Sequence, residues 1–294
     1  MEKFAMHLWF DKEAAMAADF YLTVFKDSKE ISRSILNDTP SGTVELITIN
    51  LAGLPFMLMS AGPYFKINPS ISFMIMCASD EEVGYYYGKF IEGGEALMPL
   101  DTYDFSPQYG WVVDRFGVSW QIFHTNGTPI KDKIVPSMMY VGDNVGKVTE
   151  AVKFYTSVFK KSRIGDFSYY GEGQEPNIHD YVNYVDFELE GTTFSAMESA
   201  LDHGFTFNEG VSIVVSCDSQ DEIDYYWEAL SAVPEAEQCG WIKDRYGVSW
   251  QITPKIMDDM MRDATPEQQD RVTQAFLKMK KFDIAQLDKA FRGE

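Results

Sequence analysis

The chain is short of the residues that most often carry chemistry. Among 294 residues there are three cysteines and four histidines. Cys77, Cys217 and Cys239 are odd in number and contain no CxxC pair, so neither a disulfide framework nor a zinc ribbon is expected, and reduced thiols are. His7, His124, His179 and His203 are scattered and form no ligand-spaced set. Positive charge is also scarce, with 25 basic residues against 45 acidic ones and a net charge of −20. Such a surface repels phosphate backbones and anionic lipid, so neither nucleic acid nor a membrane is an expected partner. No apolar run approaches the roughly 18 residues needed to span a bilayer, and no basic segment with a following apolar run opens the chain. With reduced thiols, this gives a cytoplasmic location as the expectation. No P-loop, nucleophile elbow or Ser-His-Asp set is visible.

What is abundant is core material: 45% apolar residues, with Phe, Trp and Tyr at 15%. That composition and length suit two folded domains. The chain is also duplicated. Gly110-Trp111-Val112-Val113-Asp114-Arg115-Phe116-Gly117-Val118-Ser119-Trp120-Gln121-Ile122 returns 130 positions later as Gly240-Trp241-Ile242-Lys243-Asp244-Arg245-Tyr246-Gly247-Val248-Ser249-Trp250-Gln251-Ile252, with ten of thirteen residues identical. A repeat of this quality sets the architecture before any other argument.

Weaker matches extend it. Phe20 to Phe25 corresponds to Phe154 to Phe159, each with an apolar pair four apart on one helix face. Asp11 is a candidate cap for the first of these helices and Asp143 or a neighbour for the second. Val44 to Leu51 and Tyr184 to Leu189 alternate as half-buried strands and end at the turns Ala52-Gly53 and Glu190-Gly191. Ser70 to Cys77 and Gly210 to Cys217 are short apolar strands, each leading into a capping box, Ser79 with Glu82 and Ser219 with Glu222. Strand, helix and three strands occur twice per copy, giving four βαβββ units of the α+β class. The copies span residues 1–126 and 134–253. The connection from Gly93 to Tyr109 shortens in the second copy to Ser231 to Cys239. Residues 255–294 form a helical tail, with Thr265-Pro266-Glu267-Gln268 as a helix start and a second start at Asp283 with Gln286.

Four such units, with the Trp-x-x-Asp-Arg-Phe/Tyr-Gly-Val-Ser-Trp-Gln-Ile segment, the Leu8-Trp9-Phe10-Asp11 opening and the tail from Ala275 to Ile284, resemble the vicinal oxygen chelate superfamily of glyoxalase I and bleomycin-resistance proteins. Within it, these three sequence features look like the PhnB-like branch, often labelled 3-demethylubiquinone-9 3-methyltransferase. The resemblance implies paired βαβββ units curling their sheets round a concave cleft, with helices outside. It implies metal ligands on the first and fifth strands and a Glu on the last. Those positions fall near Ala5 and Val135, near Ile71 and Val211, and on Gln121 and Gln251. Four of the six cannot bind metal and the amides bind it poorly, so no cofactor is expected. A divalent-metal enzyme with a shifted site recruiting His7 or Glu45 is the alternative. A methyltransferase would need a nucleotide-type cofactor turn, and the nearest candidate, Gly171-Glu172-Gly173, opens no helix. The resemblance implies that single-module relatives usually dimerise, a pairing that fusion could replace within one chain; a homodimer of the whole chain stays open.

Alternation places Ser119, Gln121 and Phe123 on one face of the final strand and Trp120 and Ile122 on the other; Ser249 and Gln251 repeat this. A hairpin turn at Asp114 to Gly117 sets Gly110 opposite Gln121, leaving space beside the amide. The glutamines then either satisfy buried groups or anchor a ligand. Trp111, Trp120, Trp241 and Trp250 read mostly as core. Cys77 and Cys217 read as buried and inert. The expected partner is a small organic molecule held by Gln121, Ser119, Phe123, Gln251, Ser249 and His7, in sequestration or resistance.

Overall fold

The computed structural model describes residues 2–294 and contains 15 strands and seven α-helices among them. The first βαβββ unit is β1 (Phe4–Phe10), α1 (Ala14–Val24), β2 (Ser28–Thr39), β3 (Gly42–Leu51) and β4 (Leu54–Ser60). The next is β5 (Ile71–Cys77), α2 (Asp80–Ile91), β6 (Glu95–Tyr103), β7 (Ser106–Val113) and β8 (Ser119–His124). The third is β9 (Ile134–Val141), α3 (Val148–Val158), β10 (Arg163–Tyr169), β11 (Val182–Leu189) and β12 (Thr192–Ser199). The fourth is one strand short: β13 (Val211–Cys217), α4 (Gln220–Leu230), β14 (Trp241–Lys243) and β15 (Ser249–Pro254). The tail forms α5 (Lys255–Asp263), α6 (Pro266–Phe276) and α7 (Ile284–Arg292).

The compact units are not the sequence copies. One comprises the residues up to Lys66 together with Asn208–Glu294, and the other Ile67–Phe207. The first unit holds a seven-stranded sheet, β14-β15-β13-β1-β4-β3-β2, and the second an eight-stranded sheet, β10-β11-β12-β9-β5-β8-β7-β6. Each sheet therefore joins half of one copy to half of the other, through an antiparallel central pair, β1 with β13 or β5 with β9. At the chain crossings, Asn208 Nδ2 donates to the Lys66 carbonyl at 2.9 Å within the first unit. Asn68 Nδ2 donates to the Thr206 carbonyl at 2.9 Å within the second.

Helices cover one face of each sheet. In the second unit Trp120 is fully buried there, stacked on Phe90 of α2 at 4.6 Å and tilted against Phe73 at 5.4 Å. In the first unit Trp250, Phe56, Leu58 and Tyr21 are equally buried. The helix starts differ in part from expectation. Ser79 and Ser219 do accept from the Glu82 and Glu222 amides, but each glutamate reaches one residue further back, to Ala78 N and Asp218 N. Neither Asp11 nor Asp143 caps its helix. Ser60 Oγ on β4 accepts from Ala14 N at the start of α1, and the buried Glu198 carboxylate on β12 accepts from Gly146 N ahead of α3. The sheet that each helix packs on supplies the oxygen, which no local sequence spacing encodes.

The tail compensates for the strand missing from the fourth unit. Cys239 N and Gly240 N donate to the Met279 and Lys280 carbonyls at 2.8 and 2.7 Å, on the edge of β14. The corresponding edge of β7 is paired by β6. Gly240 leaves room for Phe282, whose ring lies 2.4 Å from where a Cβ would stand. The Thr265–Gln268 capping box and the Asp283 cap form as the sequence predicts.

Candidate functional site

The best-repeated stretch of the chain is structural. Asp114 Oδ1 accepts from Phe116 N and Val118 N at 2.8 and 3.0 Å, while Oδ2 accepts from Trp120 Nε1 at 2.9 Å. Asp244 does the same for Tyr246 N, Val248 N and Trp250 Nε1. Each carboxylate closes the hairpin turn and pins the core tryptophan, which accounts for the Asp, Gly and Trp of the repeat without any catalytic role. Gly117 and Gly247 each have a φ of +86°, which the turn requires.

Candidate chemistry therefore falls on the sheet face away from the helices, here called the inner face. Register assigns it. In the second unit Trp111 lies opposite Gln121, and Tyr109 opposite Phe123. Gly110 pairs with Ile122, one place from the expected position. A one-residue difference in register exchanges the faces, so the space expected beside the amide is occupied by Trp111. Trp111 Nε1 donates to Ser119 Oγ at 2.7 Å. Tyr109 Oη donates to Gln121 Oε1 and Gln121 Nε2 donates to Ser72 Oγ, both at 2.7 Å. All five side chains are buried. Burial also raises the Tyr109 phenol, keeping it a neutral donor. Tyr109, Trp111, Met139 and Val141 form an apolar cluster, with Met98, Tyr103, Phe123, Met197 and Phe205 packed on it. The inner face of the second unit is plugged by its own side chains.

The first unit presents the same positions differently. Gln251 Nε2 donates to Ser212 Oγ at 2.9 Å, the equivalent of the Gln121–Ser72 bond. His7 stands opposite Ser212, where the second unit pairs Ser137 with Ser72. Cys239 occupies the sequence position of Tyr109, so no phenol reaches Gln251. Trp241 lies opposite Gln251 but is only half-buried. It meets His7 edge-on at 5.1 Å and Trp9 at 6.1 Å. Trp9 also meets Phe65 at 5.0 Å and Tyr64 at 6.4 Å, and donates from Nε1 to the Gly62 carbonyl at 2.8 Å. Three buried polar atoms at inner-face positions have no hydrogen-bond partner, His7 Nδ1, Ser249 Oγ and, further along β13 from Ser212, Ser216 Oγ. Burial lowers the His7 imidazole to about 3, so it is neutral at physiological pH. On β14, Lys243 lies opposite Ser249 and its ammonium is 2.8 Å from the Glu209 carboxylate.

The sequence-predicted residues thus divide between two faces: Ser119, Gln121 and Phe123 in the second unit, and His7, Ser249 and Gln251 in the first. Sequence reasoning missed Ser72 and Ser212, which the amides actually contact. The expected fifth-strand positions, Ile71 and Val211, are buried residues of the opposite parity, facing the helices. It also missed Trp9 and Trp241 as inner-face residues; strand parity in Leu8-Trp9-Phe10 and in Trp241-Ile242 was the signal. Of the four repeat tryptophans, Trp120 and Trp250 are fully buried core as expected. Cys77 and Cys217 are buried, with thiols pushed up to about 12 by desolvation.

A divalent ion does not suit the donors of the first unit. His7 offers one imidazole, Gln251 a neutral amide, and Ser212 and Ser249 hydroxyls, with no carboxylate free of its own partner, whereas Zn²⁺ and hard divalent ions want several imidazole, thiolate or carboxylate ligands. Glu45 cannot join His7. It lies three residues from Thr48, which shares the inner face with Met57 and His7, so its parity is opposite, and its carboxylate is 3.4 Å from Arg33. Among the described residues no three His, Cys, Asp or Glu side chains converge. Gly171 to Gly173 lies in the loop between β10 and β11 and precedes no helix.

The family model described as 3-demethylubiquinone-9 3-methyltransferase matches the chain twice, over residues 2–123 and 132–253. A solved structure from Bacillus cereus, a putative 3-demethylubiquinone-9 3-methyltransferase and PhnB protein, is 30% identical; the match covers 42% of this chain and all of that one, with a TM-score of 0.39. Glyoxalase I from Zea mays is 13% identical over 88% of this chain and 96% of its own, with a TM-score of 0.55, a likeness of fold. No curated protein matches the chain.

Proposed function

The chain belongs to the 3-demethylubiquinone-9 3-methyltransferase family, the PhnB-like branch of the glyoxalase and bleomycin-resistance fold, and on that premise we propose that it binds a small organic molecule on an inner sheet face, without a metal ion, as a sequestering or carrier protein. The observation that carries this is the pair of unpartnered buried atoms on one sheet face, His7 Nδ1 and Ser249 Oγ, with the half-buried Trp241 ring against His7. A buried polar group without a partner costs about 1–3 kcal/mol. A ligand that supplies the missing hydrogen bonds recovers that cost on binding. Apolar walls with a few convergent polar groups are the usual composition of small-molecule sites. The methyltransferase label receives no support from the residues: Gly171 to Gly173 opens no helix, and in the Gly142 to Gly146 turn that does lead into α3 the Gly146 amide is taken by the Glu198 carboxylate.

The test is a thermal-shift screen of the full-length protein against a chemically broad library, run after chelation and again with Mn²⁺, Zn²⁺, Ni²⁺ or Mg²⁺ added. Stabilisation by library members in chelator, unaltered by metal, is the expected result. Stabilisation that requires a metal, or metal retained near one equivalent through purification, would instead favour an enzyme of the glyoxalase type.

A further inference from the structure

The two inner faces share a fold and most of their strand positions but not their contents, and the differences select a ligand. On the second unit, Tyr109 and Trp111 satisfy Gln121 and Ser119, and seven further apolar side chains pack in one cluster with those two rings. On the first unit, the position of Tyr109 holds Cys239, and Ser249 lacks the indole donor that Ser119 receives. His7 replaces Ser137 and brings a second unpartnered atom. Trp241 meets His7 edge-on and begins a series of edge-to-face rings through Trp9 to Phe65 and Tyr64, with the half-buried Met57 beside His7 in register. Flat aromatic and adaptable thioether walls favour a planar guest.

Charge narrows the class. The unpartnered groups are an imidazole and serine hydroxyls, and the Lys243 ammonium opposite Ser249 is already neutralised by Glu209. An anionic group would therefore lose its water with no free cation to replace it. A neutral imidazole nitrogen either donates or accepts, and a serine hydroxyl does both, so the complementary group is one that also does both. We propose that the first unit alone binds ligand, and that the ligand is an uncharged planar aromatic molecule bearing a hydroxyl that pairs with His7 Nδ1 or Ser249 Oγ. This rests on the small-molecule reading above and adds to it the face and the ligand class.

The experiment uses three probes with one ring system: 2-naphthol, 2-methoxynaphthalene and 2-naphthoate. The whole protein carries ¹⁵N-labelled tryptophan, and each of its six indole N–H signals is assigned by single Trp→Phe replacement. The expected result is that 2-naphthol shifts the Trp9 and Trp241 signals and leaves Trp111, Trp120 and Trp250 in place. The methoxy and carboxylate probes should bind at least tenfold more weakly. At least one of His7→Phe and Ser249→Ala should weaken 2-naphthol binding about tenfold or more, while Tyr109→Phe leaves it unchanged.

Movement of the Trp111 signal by a bound probe overturns the choice of face. Equal or tighter binding of 2-naphthoate overturns the ligand class and leaves small-molecule binding standing. If none of the three probes moves any indole signal, the ligand class fails; the library screen then decides separately whether the broader reading fails with it. A His7→Phe protein that retains its unfolding transition but not the probe separates loss of the site from loss of the fold.

Discussion

The inner faces of the two units are a comparison made by the molecule itself. In the second, Gln121 lies in a closed chain of hydrogen bonds from Tyr109 Oη to Ser72 Oγ, under an aromatic and methionine cluster. In the first, Gln251 keeps the serine bond, but the position of the phenol is held by Cys239 and a histidine stands nearby with one nitrogen unpartnered. Duplication gave both faces one framework. Two substitutions, Tyr for Cys and Ser for His, separate a face that completes its own core from one that leaves hydrogen bonds to be made.

The largest expected effect breaks the plugged side. Trp111→Ala removes a buried indole and its bond to Ser119, and should cost about 3–5 kcal/mol. Trp241→Ala, at the equivalent half-buried position, should cost roughly half that or less. Denaturant unfolding of both variants checks the difference, and equal costs would mean that the two faces are equally packed. Gln121→Ala comes next, at about 2–3 kcal/mol, because it strands the Tyr109 hydroxyl in the core. The same change at Gln251 should be milder, with no phenol to strand.

His7→Phe sharpens the comparison in the opposite direction. It exchanges an unpartnered polar ring for an apolar one and should be neutral or stabilising at pH 7, within about 1 kcal/mol. Because burial depresses the His7 imidazole from 6.5 to about 3, the stability that the neutral ring contributes is present above 6.5 and lost as pH falls toward 3. The advantage of the phenylalanine variant in melting temperature should therefore widen from pH 6.5 downward. Asp258, in the tail, behaves with the reverse sign. Burial, and then the charge of Asp259, raises its carboxyl to about 6. Its contribution is complete below the ordinary carboxylate range and lost as pH rises through 6. Asp258→Asn should match the parent near pH 4 and melt a few degrees higher at pH 8, the smallest effect of the series.

Much of the fold was legible because its signals are local. Strand alternation, the serine caps at Ser79 and Ser219, and the Thr265 capping box each depend on residues within four positions of one another, and each forms as read. The asymmetry of the two faces was half legible: the Ser137–His7 mismatch is visible in an alignment of the copies, as is Cys239 against Tyr109. Register was not. Nothing near Gly110 announces that Trp111 lies opposite Gln121, since that follows from how Asp114 closes the turn. Helix caps supplied by Ser60 and Glu198, and the role of the tail at β14, are contacts across 40 residues or more in chain position. The strongest repeat signal marked turn and core chemistry, because a buried carboxylate with three donors tolerates little variation.

The crossings at Lys66 and Asn208 imply where this gene can be cut. A split at the natural repeat boundary, near residue 130, would sever both sheets along their central pairs and leave four orphaned half-sheets. Excising 67–207 and bridging 66 to 208 needs only a few residues, because the Asn208 amide already touches the Lys66 carbonyl. That minimal protein would retain His7, Ser249 and Gln251 on one continuous sheet, whereas the excised segment, expressed by itself, would carry the plugged face alone.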